Sequence, residues 1–352
     1  MARIKAEGAG YYHCISRVIE RQFKFGDREK ETFTGFMRKV EDFAGVKILT
    51  HCVMSNHFHI LVKVPEREEI SDEELVRRLG RLYQPVLVKQ IAAELAEARQ
   101  EAEEKGRGKR YQRMREKYLR RMYDVSEFMS TLKQRFSIWY NGKNGRVGTL
   151  WEQRFKSVLV EGSEQALLTM ATYIDLNPVR AGIVADPKDY RYSGYGEAVA
   201  GRPEAREGLG GVMESLGEGN MPAFAREGFG EATCREASWG QVNHKYRRML
   251  YEMGEEVVGE NGAVVRRGFK REVVEKVLEE GGRLALTEAL RCRVRYFTDG
   301  VVLGSQDYVE KVFQKHRREF GLKRKSGARS MKHANWSGLC TMRDLRRDAV
   351  RA

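Results

Sequence analysis

Apolar and polar positions alternate or recur with two different periods along this chain, and the switches between them mark out the elements. Residues Tyr11 to Ile19 (YYHCISRVI) are aromatic and β-branched, the composition of a strand. From Asp27 to Phe43 the apolar residues Phe33, Phe36, Met37, Val40 and Phe43 recur every three or four positions, which predicts an amphipathic helix. Two β-rich segments follow, VKILTHCVM and HFHILVKV, separated only by Ser55-Asn56, a short turn between antiparallel strands. Leu75, Leu79, Leu82, Val86 and Leu87 predict a further helix, and VSEFMSTLKQRFSIWY (125–140) resumes the helical period. TLWEQRFKSVLVEG reads as a strand, and Ser163 is a good N-cap for a helix running through LLTMATYIDLN. Pro178 ends or kinks that helix, since it lacks an amide donor and disfavours the α region at Asn177.

The resulting order, β-α-β-β-insert-α-β-α, predicts an α+β fold: a ferredoxin-like antiparallel sheet with helices on one face. Residues 1–195 form the expected main domain, interrupted by a helical basic insertion at 66–124. Between Gly194 and Gly230 there are ten glycines in 37 residues. That density predicts a glycine-rich linker over 196–238. Beyond it, candidate helices at 241–253, 270–280, 287–293 and 306–320 predict a mostly α-helical, basic C-terminal domain over 239–352, of a kind suited to binding DNA.

Charge narrows the class of partner. Lys+Arg number 64 against Asp+Glu 50, a net charge of +14, with a pI near 9.5 and a mean hydropathy of −0.59. No apolar run approaches the roughly 18 residues that span a bilayer, and MARIKAEGAGYY lacks the apolar core of a signal peptide. The five scattered cysteines form no CxxC, which argues against a disulfide framework or a zinc ribbon and fits a reducing compartment. The expectation is a cytoplasmic, nucleoid-associated protein that meets nucleic acid and no membrane. Nine Lys/Arg against one Glu crowd residues 105–121, and eight against one crowd 315–332. The first tract suits either a solvated helical hairpin or a DNA-facing one.

Two short motifs carry the candidate chemistry. In a strand, His57 and His59 project to one face while Phe58 enters the opposite layer. Two convergent imidazoles can hold a divalent cation and leave positions open for a substrate oxygen, though such a pair alone also fits packed or surface histidines. Tyr173 and Asn177 stand four residues apart, one turn along a helix. Alone, they fit equally a tyrosine at the edge of the apolar stripe Leu167, Met170, Ile174 and an asparagine capping the turn at Pro178. Together, the two motifs offer a metal held by imidazoles and an amide oxygen beside a phenol. A phenol is a poor nucleophile near neutrality, its pKa being about 10, and a metal compensates by polarising a phosphate.

The blocks YYHCISR, MSNHFHILV, TLWEQRFKSVLVE and YIDLNPVRAG, in this order over residues 9–195, resemble the REP-associated tyrosine transposases, IS200-like members of the His-hydrophobe-His (HUH) endonucleases. The resemblance implies a ferredoxin-like catalytic domain that cuts hairpin-forming single-stranded DNA with Mg2+ or Mn2+, leaving a 5′-phosphotyrosine and a free 3′-hydroxyl. It implies His57, His59 and Asn177 as metal ligands and Tyr173 as nucleophile, with a homodimer among the expected assemblies. The insertion and the long C-terminal region depart from the minimal pattern. Arg17, Arg154, Lys156 and Arg180 are candidate phosphate contacts, and Trp151 with Phe155 could stack on an unpaired base. His13, on the first strand, is placed to line the site. Two rivals remain: a replication-initiator or relaxase-like nickase, which usually adds a third histidine to the cluster, and a non-catalytic hairpin-binding regulator.

Overall fold

A computed structural model describes residues 4–22, 24–106, 108–214, 239–244, 246–247, 250, 257–258, 264–266, 296–320, 323–331 and 338–343. Its centre is one seven-stranded sheet. In chain order, β1 is Gly10–Arg17, β2 Lys47–Val53, β3 His57–Val64 and β4 Lys156–Val160. A separate two-stranded pair, β5 Val257–Val258 and β6 Val264–Arg266, precedes β7 Val302–Gly304, β8 Arg329–Ser330 and β9 Cys340–Met342. The spatial order is β2-β3-β1-β4-β7-β9-β8. Its first four members, read from the inner edge as β4-β1-β3-β2, are the antiparallel arrangement expected of a ferredoxin-like α+β core.

Strand alternation sorts the side chains onto two faces. Phe58, Ile60 and Cys14 point one way. His57, His59, His13 and Arg17 point the other, since Arg17 pairs with His57 and Ile15 with His59. On the first face lie helices α1 (Asp27–Ala44) and α5 (Val125–Lys143). Here Phe58 meets Phe33 at 4.5 Å and Trp151 at 5.6 Å, and Phe25 and Phe136 complete a buried aromatic cluster. Aromatic contacts of this kind each add about 0.5–1.5 kcal/mol beyond area burial. Helix α1 ends at Gly45, whose φ of 64° is the left-handed cap that glycine adopts without strain. Asp124 caps α5 by accepting from the Ser126 and Glu127 amides.

Not all helices share that face. Helix α6 (Glu164–Asp175) lies on the histidine side, where the Tyr173 ring is 6.1 Å from that of His59. The short α7 (Asn177–Arg180) restarts after a break at Leu176, the kink anticipated at Pro178. The strand expected over TLWEQRFKSVLVEG is confined to Lys156–Val160.

The insertion is three helices, α2 (Asp72–Leu79), α3 (Pro85–Lys105) and α4 (Lys109–Leu119), rather than a single helix through Leu87. Pro85 begins α3 because it cannot continue the preceding one. The stretch expected as a linker opens with α8 (Gly194–Val199) and α9 (Pro203–Glu214); residues 215–238 lie outside the described ones. Gly208 of α9 packs directly on β2, where a Cβ would stand 2.8 Å from the Leu49 carbonyl oxygen and closer still to that of Ile48. That glycine serves close packing, so composition alone misread it.

In the C-terminal region the described residues include a helical stretch at 239–244, helix α10 (Tyr296–Asp299) and helix α11 (Gln306–Lys315). They also include β7, β8 and β9, which extend the main sheet, β7 running parallel to β4. The region expected to be helical thus contributes three strands to the same sheet. The candidate helices at 270–280 and 287–293 lie outside the described residues.

Candidate active site

One end of the histidine face gathers the groups that the motifs singled out. His57 and His59 are two apart on β3 and their ring centroids are 5.1 Å apart. His13 from the neighbouring β1 stacks on His59, also at 5.1 Å, and both lie 6.1 Å from the Tyr173 ring. The Arg180 guanidinium covers the Tyr173 ring at 4.2 Å and donates to the Tyr173 carbonyl, a cation–π contact of the closer kind. The Phe297 ring meets the Tyr173 ring edge-to-face at 4.8 Å. Tyr173 is left 7% exposed and His59 2%.

The hydrogen bonds around the histidines fix which nitrogen of each ring faces outward. Asn56 Nδ2 donates to the Arg21 carbonyl at 2.9 Å, which turns its Oδ1 toward His57 Nδ1 at 2.6 Å. Since Oδ1 only accepts, His57 Nδ1 carries a proton. His59 Nδ1 is likewise engaged, by His13 Nε2 at 2.9 Å. Imidazoles that ligate a metal commonly have their other nitrogen held by such a partner. Burial holds His59 neutral, pushing its pKa well below the usual value, with smaller contributions from His13, His57 and Arg180. Burial also lowers His13 to about 3, against the opposing effect of the Phe297 carbonyl. Neutral rings are what a divalent ion requires of imidazole ligands.

Asn177 begins α7, and its amide nitrogen donates to the carbonyls of Tyr173 and Ile174 at 3.2 and 3.1 Å. It therefore does cap the end of α6, and its Oδ1 is the end of the amide left to act as a donor atom toward a metal. Among the described residues, no group of three or more His, Cys, Asp or Glu side chains is arranged to hold an ion.

Of the candidate DNA contacts, Arg17 stands directly across from His57 on the same face. Lys156 pairs with Ile15 on that face, is exposed, and has Asp299 at 3.9 Å. Arg154 is exposed just before β4, and Arg180 lies over Tyr173. Trp151 is a correction. It is 7% exposed, sits in the aromatic cluster on the opposite face, and donates from Nε1 to Ser137 Oγ at 2.7 Å. Packed among Phe25, Phe33, Phe58 and Phe136, it belongs to the core rather than to a stacking platform. Phe155 is half-buried against the same core.

No motif pointed to Phe297 or to Asn56 as partners of the histidines. Asn56 could have been found from its place beside His57; nothing local marks Phe297.

Residues 8–101 match the family model described as Transposase IS200 like. The resemblance read from the motifs therefore holds over the segment that carries both histidines; the match ends before Tyr173 and Asn177. Among solved structures, one similar chain is described as "Structure of the REP associates tyrosine transposase bound to a REP hairpin". It shares 15% identity at a TM-score of 0.35, over 57% of this chain and 86% of that one. No curated protein matches this chain. Among the described residues, no helix is long and apolar enough to cross a membrane.

Proposed function

We propose that this chain, which matches IS200-like transposases over residues 8–101, cleaves and rejoins hairpin-forming single-stranded DNA in the cytoplasm. Tyr173 is the nucleophile, and His57, His59 and Asn177 hold a divalent metal, Mg2+ or Mn2+. The observation that carries this reading is the meeting of one phenol with two imidazoles at one end of the sheet, Tyr173 lying 6.1 Å from His59 ring to ring. The donor set offers imidazole nitrogens, which suit first-row transition ions, and an amide oxygen, which suits Mg2+ and Mn2+. When bound, the metal would polarise the scissile phosphate and offset charge developing on it.

The residues of the chain do the rest. The Tyr173 phenolic oxygen attacks phosphorus as the bond from phosphorus to the 3′ oxygen breaks. The phenolic proton is lost, the departing oxygen gains one, and the products are a 5′-phosphotyrosine and a 3′-hydroxyl. The phosphotyrosine retains the phosphodiester bond, so a 3′-hydroxyl can reverse the attack and join strands. Arg180 and Phe297 both pack against the Tyr173 ring, which limits the positions the phenol can take. Arg17, Lys156 and Arg154 supply positive charge for backbone phosphates.

His13 bears on the nickase rival. A third histidine does stand beside the pair, yet both its nitrogens are engaged, by the Phe297 carbonyl and by His59. It is not placed as a third ligand, which favours the transposase reading.

The test is a denaturing gel with labelled hairpin single strands, with and without Mn2+, comparing wild type and Tyr173→Phe. A covalent protein–DNA band that needs metal and disappears in the variant is expected. Binding by both proteins with no adduct from either, across a broad hairpin pool, would instead favour a hairpin-binding regulator.

A further inference from the structure

His13 makes two hydrogen bonds that together leave little choice about where the protons lie. Its Nδ1 is 2.9 Å from the Phe297 carbonyl oxygen, and its Nε2 is 2.9 Å from His59 Nδ1. A carbonyl only accepts, so Nδ1 of His13 carries the proton. The ring is fully buried, where a second proton and its charge are strongly disfavoured, so Nε2 bears a lone pair. It must then accept from His59 Nδ1. His59 in turn has its one proton on Nδ1 and its lone pair on Nε2, the nitrogen turned away from the relay.

We propose that His13, held by the Phe297 carbonyl, is a positioning residue that locks His59 in the Nδ1–H form and presents its Nε2 to the metal. The C-terminal extension of the sheet thereby becomes a structural part of the catalytic centre. Phe297 is kept in place by its neighbours in that extension: Leu159 donates to the Val301 carbonyl at 2.9 Å, and β7 pairs with β4 at Leu159↔Val302. The Phe297 ring is 2% exposed. His57 is set the same way by a different chain of bonds, from the Arg21 carbonyl through Asn56. Each imidazole of the pair is thus oriented from a backbone carbonyl through one intervening side chain, the arrangement that fixes tautomer and ring angle in metal sites.

The inference rests on the proposed metal role of His59, and its test separates the two. Full-length protein labelled with 15N-histidine carries only seven histidines, few enough to assign, and long-range proton–nitrogen spectra report each tautomer directly. Without any variant, His13 and His59 are both expected as Nδ1–H forms; His59 found as Nε2–H overturns the relay. In His13→Phe, His59 should become a mixture of tautomers, and Mn2+ affinity measured by electron paramagnetic resonance should fall about 10- to 100-fold. His13→Gln, whose Oε1 can accept from His59 Nδ1, should restore both. A folded His13→Phe with the tautomer and affinity of wild type also overturns the relay. Wild type with His59 as Nδ1–H and no Mn2+ binding removes the metal reading and leaves the relay standing; Mn2+ binding to an Nε2–H His59 does the reverse.

Discussion

Histidines one strand apart in this sheet have unlike surroundings, and a single step of the strand period decides which. His59 faces the tyrosine, while His51 of β2 pairs with Ile60 and so faces the opposite layer. There it is fully buried, with neither ring nitrogen hydrogen-bonded among the described residues and Glu197 at 3.8 Å. Burial keeps it neutral, its pKa pushed well below the ordinary value. Asp175, two residues after Tyr173, titrates in the opposite sense. It accepts from Thr50 Oγ1 at 2.9 Å, from the Tyr195 amide at 3.2 Å and from Tyr246 Oη at 2.5 Å. Even so, burial raises its pKa from 3.8 to about 7. The folded state therefore holds this proton more tightly than the unfolded chain. The stability it contributes is complete below pH 3.8 and is lost as pH rises through about 7. The shift amounts to on the order of 4 kcal/mol. Asp175→Asn should flatten that part of the pH profile, measured by urea unfolding at pH 5 and pH 7.5. Equal slopes in the two proteins would show that Asp175 is not the group responsible. What the sequence made legible at this scale was local: the HxH pair and the tyrosine fall in short motifs. The bond from His13 to Phe297 spans 284 residues, and no local pattern encodes it.

Elements were legible where the hydrophobic period was strong. Strands β1, β2 and β3 and helices α1 and α5 lie within a residue or three of where the apolar spacing put them. The period is silent on which side of a sheet a helix docks, which is why α6 was expected beside α1 and α5. Glycine is the other ambiguity, since it marks both slack chain and close contact. In α9 the two uses sit two residues apart: Gly208 presses on the β2 backbone, and Gly210 has nothing within 4 Å of where a Cβ would go. Gly208→Ala should cost roughly 1–3 kcal/mol, because backbone oxygens cannot swing aside as a flexible side chain would. Gly210→Ala should be neutral or stabilising by about 0.5–1 kcal/mol through helix propensity. Chemical denaturation of the two variants checks the contrast, and equal effects would mean that α9 does not depend on this contact.

Over the whole molecule the proposed function raises the question of which part of the +14 charge would meet DNA. The densest basic tract lies in the insertion, yet its side chains have acidic partners close by: Arg110 meets Glu97 and Glu101, Lys105 meets Glu101, and Arg115 meets Asp72. The exposed ones among these pairs are worth little to stability, but each pair leaves less net charge for a polyanion. At the histidine end the balance differs. Arg17 and Lys156 share the face of His57 and His59, Arg154 is exposed beside them, and Arg180 lies over Tyr173. A phosphate contact releases counterions, so binding to a hairpin should weaken well over tenfold between 50 and 200 mM salt. Fluorescence anisotropy across that range gives the slope of affinity against salt. Arg17→Ala and Arg154→Ala should each lower that slope by about one, as expected for a lost phosphate contact, whereas Arg110→Ala should leave it unchanged. An Arg110→Ala slope that falls as far as that of Arg17→Ala would place the insertion on the DNA, and a flat salt response in wild type would take the basic tracts out of the interface altogether. The outcome expected is an interface centred on the tyrosine, with the insertion's charge largely balanced from within.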